Sequence, residues 1–243
     1  MLLNKIIEFE SNFPGVQSKV VEKTYGRIFF NKENPLSHDS NHAIINEDAD
    51  YEFAVNDIVN FYKSIDISPR VYTFTNKNRI GQYLESKGFN KLTEENCFYI
   101  QKNIKIIDVP KTLEIKRLRN IDNAIDELLH TDKEQGEWGY KDLIKQIDKE
   151  GFHLFGGYEH KTLACIVSIQ FQDDISRLNI VFTRKDKRGK GYCSQLINFI
   201  TDYNNKYLGT TSYLYSNNLS AIRVYRKAGY EEIDNIIRGC YWL

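Results

Sequence analysis

The chain has 243 residues, of which 41% are hydrophobic and 13% aromatic, an ordinary globular composition that provides core for one or two domains. Lysine plus arginine equals aspartate plus glutamate at 33 each, so no overall positive field recruits nucleic acid. No apolar stretch has the length of a membrane span, and the four cysteines show no C-x-x-C spacing, which favours a reduced, cytoplasmic protein.

The first half of the chain predicts strands and helices in alternation. The opening residues MLLNK are followed by Glu8 and Glu10, which is wrong for a secretion signal and predicts an amphipathic helix. The elements predicted next are a strand at 41–46, a helix at 51–64 that opens with Asp48-Ala49-Asp50, a strand at 70–75, a helix from Asn76 to Gly88-Phe89 and a strand at 95–101. Residues 104–111, which carry Pro110, are the predicted junction with the second half.

The histidines do not predict a metal site. His38 and His42 are four residues apart, but a proline and several serines and aspartates around them predict a loop. A metal bound there would need two further ligands, which the neighbouring sequence does not offer. We therefore expect no bound metal.

The second half predicts the order β-α-α-β-β-β-α-β-α-β-β. Its elements are a strand at 113–118, helices at 122–130 and 140–149, strands at 153–158, 162–171 and 175–183, a helix after 191, a strand at 211–215, a helix after 218, and a closing hairpin of 231–233 with 236–242 around Asp234-Asn235. In this prediction Glu134–Gly139 connects the first two helices.

A basic glycine turn, RKDKRGKG at 184–191, joins the strand at 175–183 to the next helix. A helix N-terminus offers unpaired N–H groups and the positive end of its dipole, and glycine lets a phosphate approach the backbone. The turn fits neither G-x-x-x-x-G-K-[ST] nor the dinucleotide fingerprint G-x-G-x-x-G, because Ser194 takes the place of the third glycine. A pyrophosphate-binding turn of another type is the functional interpretation, and a solvated surface turn is the alternative.

A second motif follows the strand at 211–215. Asn218 or Asn217 is a good helix N-cap, Ala221 and Tyr225 share one face of the predicted helix, and Gly229 stands where a helix ends with a left-handed residue. Tyr225 is therefore either a functional phenol on this face or an aromatic residue of the core.

Together the two segments resemble the motifs of the GNAT (Gcn5-related N-acetyltransferase) superfamily. The turn is similar to R/Q-x-x-G-x-G/A, with Arg188 first, Gly191 fourth and Cys193 in place of the usual last glycine or alanine. The helix is similar to N-x-x-A-x-x-x-Y-x-x-x-G-F/Y, with Tyr230 last. The resemblance implies that Tyr225 is a general acid beside the acyl sulfur. It also implies an acyl-CoA site made of Val181, Phe182, Thr183, Arg188, Gly189, Lys190, Gly191, Tyr192, Cys193, Ser194, Asn218 and Ala221.

The resemblance covers residues 113–243 and implies an α/β (α+β) fold with a mixed, mostly antiparallel sheet flanked by helices. We therefore expect an acyl-CoA-binding GNAT acetyltransferase domain at 109–243 and a degenerate GNAT-like domain at 1–108. Residues 70–89 echo 211–230 at an offset of 141, although chance similarity of two strand–helix units is the alternative. Leu84 falls on the position of Tyr225, and acidic residues open the helix at 51–64, so the first copy should not bind the cofactor.

The implied reaction transfers an acetyl group from acetyl-CoA to a primary amine of a small molecule or peptide, without metal, nucleic acid or membrane. Backbone N–H near Phe182 or Thr183 would stabilise the oxyanion, and Glu137, Asp173 and Asp174 are candidate bases. Glu137 and Trp138 are the candidate acceptor residues, since a carboxylate pairs with an amine and a ring stacks on it. A tryptophan that only anchors the loop is the alternative. The sequence leaves the oligomeric state open, a homodimer included.

Two other functions stay open. A non-catalytic sensor or interaction module would bind acyl-CoA without needing the Tyr225 hydroxyl. Nucleic-acid binding through residues 184–190 would depend strongly on salt, and neutral net charge argues against it.

Overall fold

The computed structural model describes residues 2–74, 79–92 and 96–243, without the side chains of residues 134, 135 and 235. The chain folds into two compact units. Unit 1 contains Met1–Cys97 together with Asp234–Leu243, and unit 2 contains Phe98–Ile233. Unit 1 therefore consists of two separate segments of the chain, one from each end.

Unit 1 is a mixed sheet with helices. Its elements are α1 (Leu2–Asn12), a 3-10 turn (Phe13–Val16), β1 (Lys19–Lys23), β2 (Gly26–Phe30), β3 (His42–Ile45), α2 (Tyr51–Ser64), β4 (Arg70–Thr73), α3 (Arg79–Ser86) and β5 (Asn90–Lys91). β1, β2 and β3 pair antiparallel, and β4 runs parallel to β3. The apolar faces of α2 and α3 bury Ile58, Tyr62 and Leu84 completely in one core.

The predicted elements of the first half are present, all in unit 1 except the strand at 95–101, which continues into unit 2 as β6. The helix at 51–64 has the predicted bounds, and its acidic start has a local cause. Asp50 is the N-cap, and its side chain accepts hydrogen bonds from the N–H groups of Glu52 and Phe53. These donors are thus already satisfied by the protein. Asn76 and the start of the strand predicted from Glu95 lie outside the described residues.

Unit 2 carries both motifs. Its elements, with two strands that continue into unit 1, are β6 (Asn96–Gln101), β7 (Glu114–Leu118), α4 (Asn123–Leu129), α5 (Lys133–Gln146), β8 (Phe152–Glu159), β9 (Thr162–Gln172), β10 (Ile175–Thr183), a 3-10 turn (Lys185–Lys187), α6 (Tyr192–Tyr203), a π-helical turn (Asn204–Leu208), β11 (Thr211–Ser216), α7 (Leu219–Lys227) and β12 (Tyr230–Trp242). The strand order is β7-β8-β9-β10-β11-β6. Neighbours from β7 to β10 are antiparallel, and β10 and β11 are parallel, so the predicted mixed, mostly antiparallel sheet is confirmed.

The closing hairpin predicted at 231–242 is wrong. β12 is one continuous strand, and its last residues, Gly239–Trp242, pair with Arg70–Thr73 in unit 1. Asp234-Asn235 predicts a turn from local propensity alone, and long-range strand pairing overrides that signal. The two compact units divide at residues 97/98 and 233/234, whereas the sequence predicts a single division at 108/109.

The helix predicted at 140–149 begins earlier. α5 spans Lys133–Gln146, so Glu134–Gly139 belongs to the helix and does not form a connecting loop. The two glycines of this segment predict a loop, but Gly136 has a packing role. A Cβ there would lie 2.6 Å from a ring carbon of His130, so glycine permits the close approach of α4 and α5.

The glycine that ends a helix occurs in both units. Gly88 and Gly229 have φ of 87° and 94°, the left-handed conformation in which glycine terminates a helix. Gly229 also has no room for a side chain, because a Cβ would lie 1.7 Å from the carbonyl oxygen of Asn103. The helix end expected from the 141-residue offset is therefore present in both copies.

The predicted junction at 104–111 lies along α6 within unit 2. The Asn198 side chain bonds both backbone polar groups of Ile107 in this segment. Its Oδ1 accepts from the N–H of Ile107 at 2.9 Å, and its Nδ2 donates to the carbonyl of Ile107 at 2.8 Å. One turn earlier, Gln195 Oε1 accepts from the N–H groups of Thr112 and Leu113. The junction is thus a fixed part of unit 2.

We expect Asn198→Ala to lower the free energy of unfolding by about 1–2 kcal/mol, because two part-buried hydrogen bonds to the backbone of Ile107 are lost. Urea denaturation measures this, and faster hydrogen exchange at the Ile107 amide would locate it. Asn205→Ala, at an exposed position of the π-helical turn, is the control and should change stability by less than about 0.5 kcal/mol. Equal effects of the two substitutions would contradict this role for Asn198.

Candidate functional site

The candidate site begins where strand β10 becomes irregular. β10 pairs with β9 from Ile175 to Leu178 and again from Val181, and the extra residue between these segments forms a β-bulge. On its other side, β10 pairs with β11 only from Ile175 to Arg177. Beyond that point, residues 178–183 have no strand partner on the β11 side within the described chain. The two parallel strands therefore separate and leave backbone groups that a ligand can bind.

The basic turn and the start of α6 follow the open end of β10. Gly189 and Gly191 have φ of 82° and 77°, so both need the left-handed conformation that glycine adopts at low cost. Gly191 is the N-cap of α6, and no side chain of the described residues caps this helix. A Cβ at Gly189 would meet nothing within 4 Å. The turn thus combines open space with an uncapped helix N-terminus, and this fits a phosphate group.

Helix α7 carries the second motif as predicted. Asn218 Oδ1 accepts from the N–H groups of Ser220 and Ala221. Tyr225 is only 5% exposed, and its ring contacts that of Tyr230 with 6.1 Å between centroids. Its hydroxyl has no hydrogen-bond partner among the residues that the structure describes, so this phenol keeps its donor for a ligand.

The two motifs meet at Tyr225. Burial raises the pKa of Tyr225, and the neighbouring Cys193 and Tyr230 raise it further. Cys193 belongs to the first turn of α6, so the start of this helix contributes to the electrostatic environment of the phenol. The hydroxyl stays protonated at any assay pH and can act as a proton donor. Burial also raises the pKa of the Cys193 thiol to about 11, which disfavours a thiolate nucleophile.

Arg188, the first residue of the predicted turn motif, braces the turn against β10. Its Nε donates to the carbonyl of Thr183 at 3.2 Å, and its guanidinium lies 5.8 Å from the ring centroid of Phe182. Its Nη2 is 3.8 Å from a carboxylate oxygen of Asp132. The remaining predicted cofactor residues lie on the same elements: Val181, Phe182 and Thr183 end β10, Tyr192, Cys193 and Ser194 begin α6, and Ala221 lies in α7.

The residues predicted for the acceptor and for the base are on separate elements. Glu137 and Trp138 lie within α5, where Glu137 is exposed and Trp138 is half-buried. Asp173 and Asp174 form the turn that precedes β10. They are therefore at the opposite end of β10 from the basic turn, roughly 30 Å away along an extended strand.

Polar pairs that the sequence analysis did not identify flank the bulge. Asn179 Nδ2 donates to Gln146 Oε1 at 3.0 Å, and Arg177 Nη2 donates to the Tyr215 hydroxyl at 2.6 Å. Arg177 is only 3% exposed. These partners are 33 and 38 residues apart, so no local pattern could have revealed them.

Within residues 2–74, 79–92 and 96–243, no group of three histidine, cysteine or acidic side chains could hold a metal ion. In the same part of the chain, no helix is long and apolar enough to cross a membrane.

Comparison with known proteins agrees with this geometry. The GNAT acetyltransferase domain model matches residues 150–232. A GCN5-related N-acetyltransferase from Kribbella flavida has a TM-score of 0.74 at 12% identity over 98% of this chain and 94% of that one. A functionally unknown conserved protein from Staphylococcus epidermidis ATCC 12228 has a TM-score of 0.71 at 13% identity, with 93% and 94% covered.

A third solved structure, a tandem GNAT protein from the clavulanic acid biosynthesis pathway, has a TM-score of 0.66 at 11% identity. The match covers 92% of this chain and 81% of that one, so the likeness extends over both halves. No curated protein matches in sequence. The structural likeness shows that the chain has a fold like that of a tandem GNAT protein. The GNAT acetyltransferase domain model matches the segment of this fold that holds both motifs, residues 150–232.

Proposed function

We propose that this protein is an N-acetyltransferase that moves an acetyl group from acetyl-CoA to a primary amine by direct attack in a ternary complex. One arrangement carries the proposal. Three features of unit 2 combine in it: the divergence of β10 from β11, the glycine turn that follows β10, and the hydroxyl of Tyr225, which has no hydrogen-bond partner among the described residues. These are a slot for an extended arm, a phosphate site and a proton donor.

The residues present fit acetyl-CoA. The N–H groups at the start of α6 and the turn with Gly189 and Gly191 would hold the pyrophosphate. The free edge of residues 178–183 would pair with the amides of the pantetheine arm. Asn218 uses its oxygen to cap α7 and keeps its amide N–H groups for the same arm. When bound, the thioester supplies the electrophilic carbonyl carbon.

The chain's own residues then serve three steps. Backbone N–H near Phe182 or Thr183 stabilises the negative charge that develops on the carbonyl oxygen. The amine nitrogen forms its bond to the carbonyl carbon as the carbon–sulfur bond breaks. Before the attack, a carboxylate or water takes the extra proton of the ammonium form, since a free amine has a pKa near ~10. Tyr225 then gives its proton to the departing sulfur and regains one from the attacking nitrogen as the amide forms.

The acceptor that we propose is a small-molecule or peptide amine. Trp138 offers a half-buried ring on α5, and Glu137 offers an exposed carboxylate one residue earlier. Neutral overall charge supports neither nucleic acid nor an anionic membrane as a partner. The free thiols of Cys97, Cys165, Cys193 and Cys240 support a cytoplasmic location.

Calorimetric titration with acetyl-CoA tests the donor site. We expect wild type to bind and Gly191→Ala to bind about tenfold more weakly, because an L-residue at φ 77° costs roughly 1–2 kcal/mol and the turn relaxes away from the phosphate. Gly209→Ala is the matched control, since Gly209 has φ 64° and open space around it but precedes β11. Equal losses in both variants would contradict the role of the turn, and no binding by wild type would contradict the proposed function.

A further inference from the structure

A carboxylate from another element contacts the basic turn. Glu159 ends β8, and its Oε2 accepts a hydrogen bond from Lys187 Nζ at 2.5 Å. Its Oε1 accepts from Lys190 Nζ at 3.4 Å and from the hydroxyl of Tyr192. Three side chains of the turn and of the first turn of α6 thus converge on one acid, whose side chain is 22% exposed.

Glu159 differs from the other acids near the turn. The segment 184–190 carries five basic residues and one acidic residue. Asp186 pairs with Arg184 inside the turn, and Asp132 lies 3.8 Å from Arg188. Each of these acids meets one cation of the turn, whereas Glu159 meets two lysines. One carboxylate therefore forms ion pairs with both of the lysines that lie nearest to Gly189 and Gly191.

The charge of Glu159 persists across the physiological range. Hydrogen bonds from Lys187 and from Tyr192 lower its pKa to about 2. Protonation therefore does not release the lysines at neutral pH, and another anion must replace the carboxylate. A phosphate group carries more charge and more acceptor oxygens than a carboxylate, so it can do so.

We propose that Glu159 is an internal anion that holds Lys187 and Lys190 until a phosphate of the acyl donor displaces it. This inference rests on the proposed function and adds to that function a step that selects among acyl donors. A donor with nucleotide phosphates can displace the carboxylate, whereas a short pantetheine thioester without them leaves the lysines with Glu159. Lys187 thereby becomes a phosphate-binding residue.

The test is calorimetric titration of CoA and of dephospho-CoA into wild type and Glu159→Gln. Glutamine keeps the shape and removes the charge, so we expect CoA to bind about two- to fivefold more tightly, the range that an exposed ion pair supports. Asp202→Asn is the matched control, because it removes one charge from unit 2 at a pair with Lys206 only. It should leave binding unchanged.

Two further variants connect the effect to the lysine. Lys187→Met should weaken CoA binding severalfold, and Glu159→Gln should then have a smaller effect in the Lys187→Met background. Tighter binding of both ligands would assign the pyrophosphate to the lysines, and tighter binding of CoA alone would assign the 3′-phosphate.

Clear outcomes separate this inference from the proposed function. If wild type binds CoA and Glu159→Gln binds it equally or more weakly, Glu159 positions the turn and the inference is overturned alone. If neither protein binds CoA, the proposed function is overturned as well. A gain that is also present in Asp202→Asn would show a general charge effect and would overturn the inference.

Discussion

Replacing Tyr225 with phenylalanine is expected to lower kcat about 100-fold and to leave the Kd for acetyl-CoA within about twofold of wild type. A positioned proton donor contributes about 10²-fold or more to such a step. Phenylalanine keeps the ring, and the hydroxyl that it loses has no hydrogen-bond partner among the described residues. Fold stability should therefore change little, and the loss should appear in the chemical step.

The matched control is Tyr230→Phe. Tyr230 packs edge-to-face against Tyr225, but its buried hydroxyl forms a hydrogen bond with Ser212 at 2.8 Å. We expect this variant to lose about 1 kcal/mol of stability and to keep kcat within about twofold. Single-turnover rates with a panel of primary amines, together with calorimetric Kd values for acetyl-CoA, measure both effects.

The result also separates the two functions that involve acyl-CoA. Because the pKa of Tyr225 is raised, its deprotonation should produce no loss of activity on the alkaline side of an ordinary pH profile. If Tyr225→Phe leaves every readout unchanged while Gly191→Ala weakens cofactor binding as expected, the protein is a non-catalytic binding module. Equal loss of binding in both variants would instead assign Tyr225 to the structure of the pocket.

Features that depend on neighbouring residues could be predicted from the sequence. The side chain of Asn218 caps α7 through N–H groups two and three residues away, and Gly191 adopts the positive φ of a helix start. Both follow from backbone hydrogen bonding and sterics within one turn of chain. The turn and the helix of the candidate site were therefore predictable to within a residue.

Features that depend on distant partners were not predictable. β12 continues past Asp234-Asn235 and pairs with β4 more than 160 residues earlier in the chain. Glu159 meets Lys187 and Lys190 across 28 and 31 residues, and the bulge in β10 is visible only against β9. Local propensity is a weak guide where such pairings decide the structure.

The second large effect concerns unit 1 and its buried histidine. His42 is only 1% exposed, stacks on Tyr72 with 4.0 Å between ring centroids, and has its Nδ1 3.3 Å from the carbonyl of His38. Its Nε2 has no hydrogen-bond partner among the described residues. Burial is the main cause that lowers the pKa of His42, with Asp39 opposing it and Arg238 adding to it, and the net pKa is about 3.

Unit 1 should therefore lose stability as the pH falls below about 6.5. In that range the unfolded chain binds a proton on His42 and the folded chain does not, so the free energy of unfolding decreases. Above about pH 6.5 neither state binds the proton, so the contribution is complete. With an unfolded pKa near ~6.5, the loss between pH 7 and pH 5 is about 2 kcal/mol for this group.

The two tryptophans allow each unit to be followed separately, because Trp138 lies in unit 2 and Trp242 in unit 1. In a Trp138→Phe background, urea unfolding followed by fluorescence reports on unit 1.

His42→Phe keeps an aromatic ring on Tyr72 and removes the titrating group. The decrease in the free energy of unfolding between pH 7 and pH 5 should therefore be smaller in this variant by about 2 kcal/mol. His153→Phe is the control in unit 2, where burial lowers the pKa of His153 to about 4, and it should leave the unit 1 transition unchanged. An unaltered pH dependence in His42→Phe would mean that the folded protein accepts a proton on this ring. The acid sensitivity would then come from His38, whose pKa is also lowered by burial, or from carboxylates such as Asp57, whose pKa is lowered by hydrogen bonds from Lys23 and Tyr25.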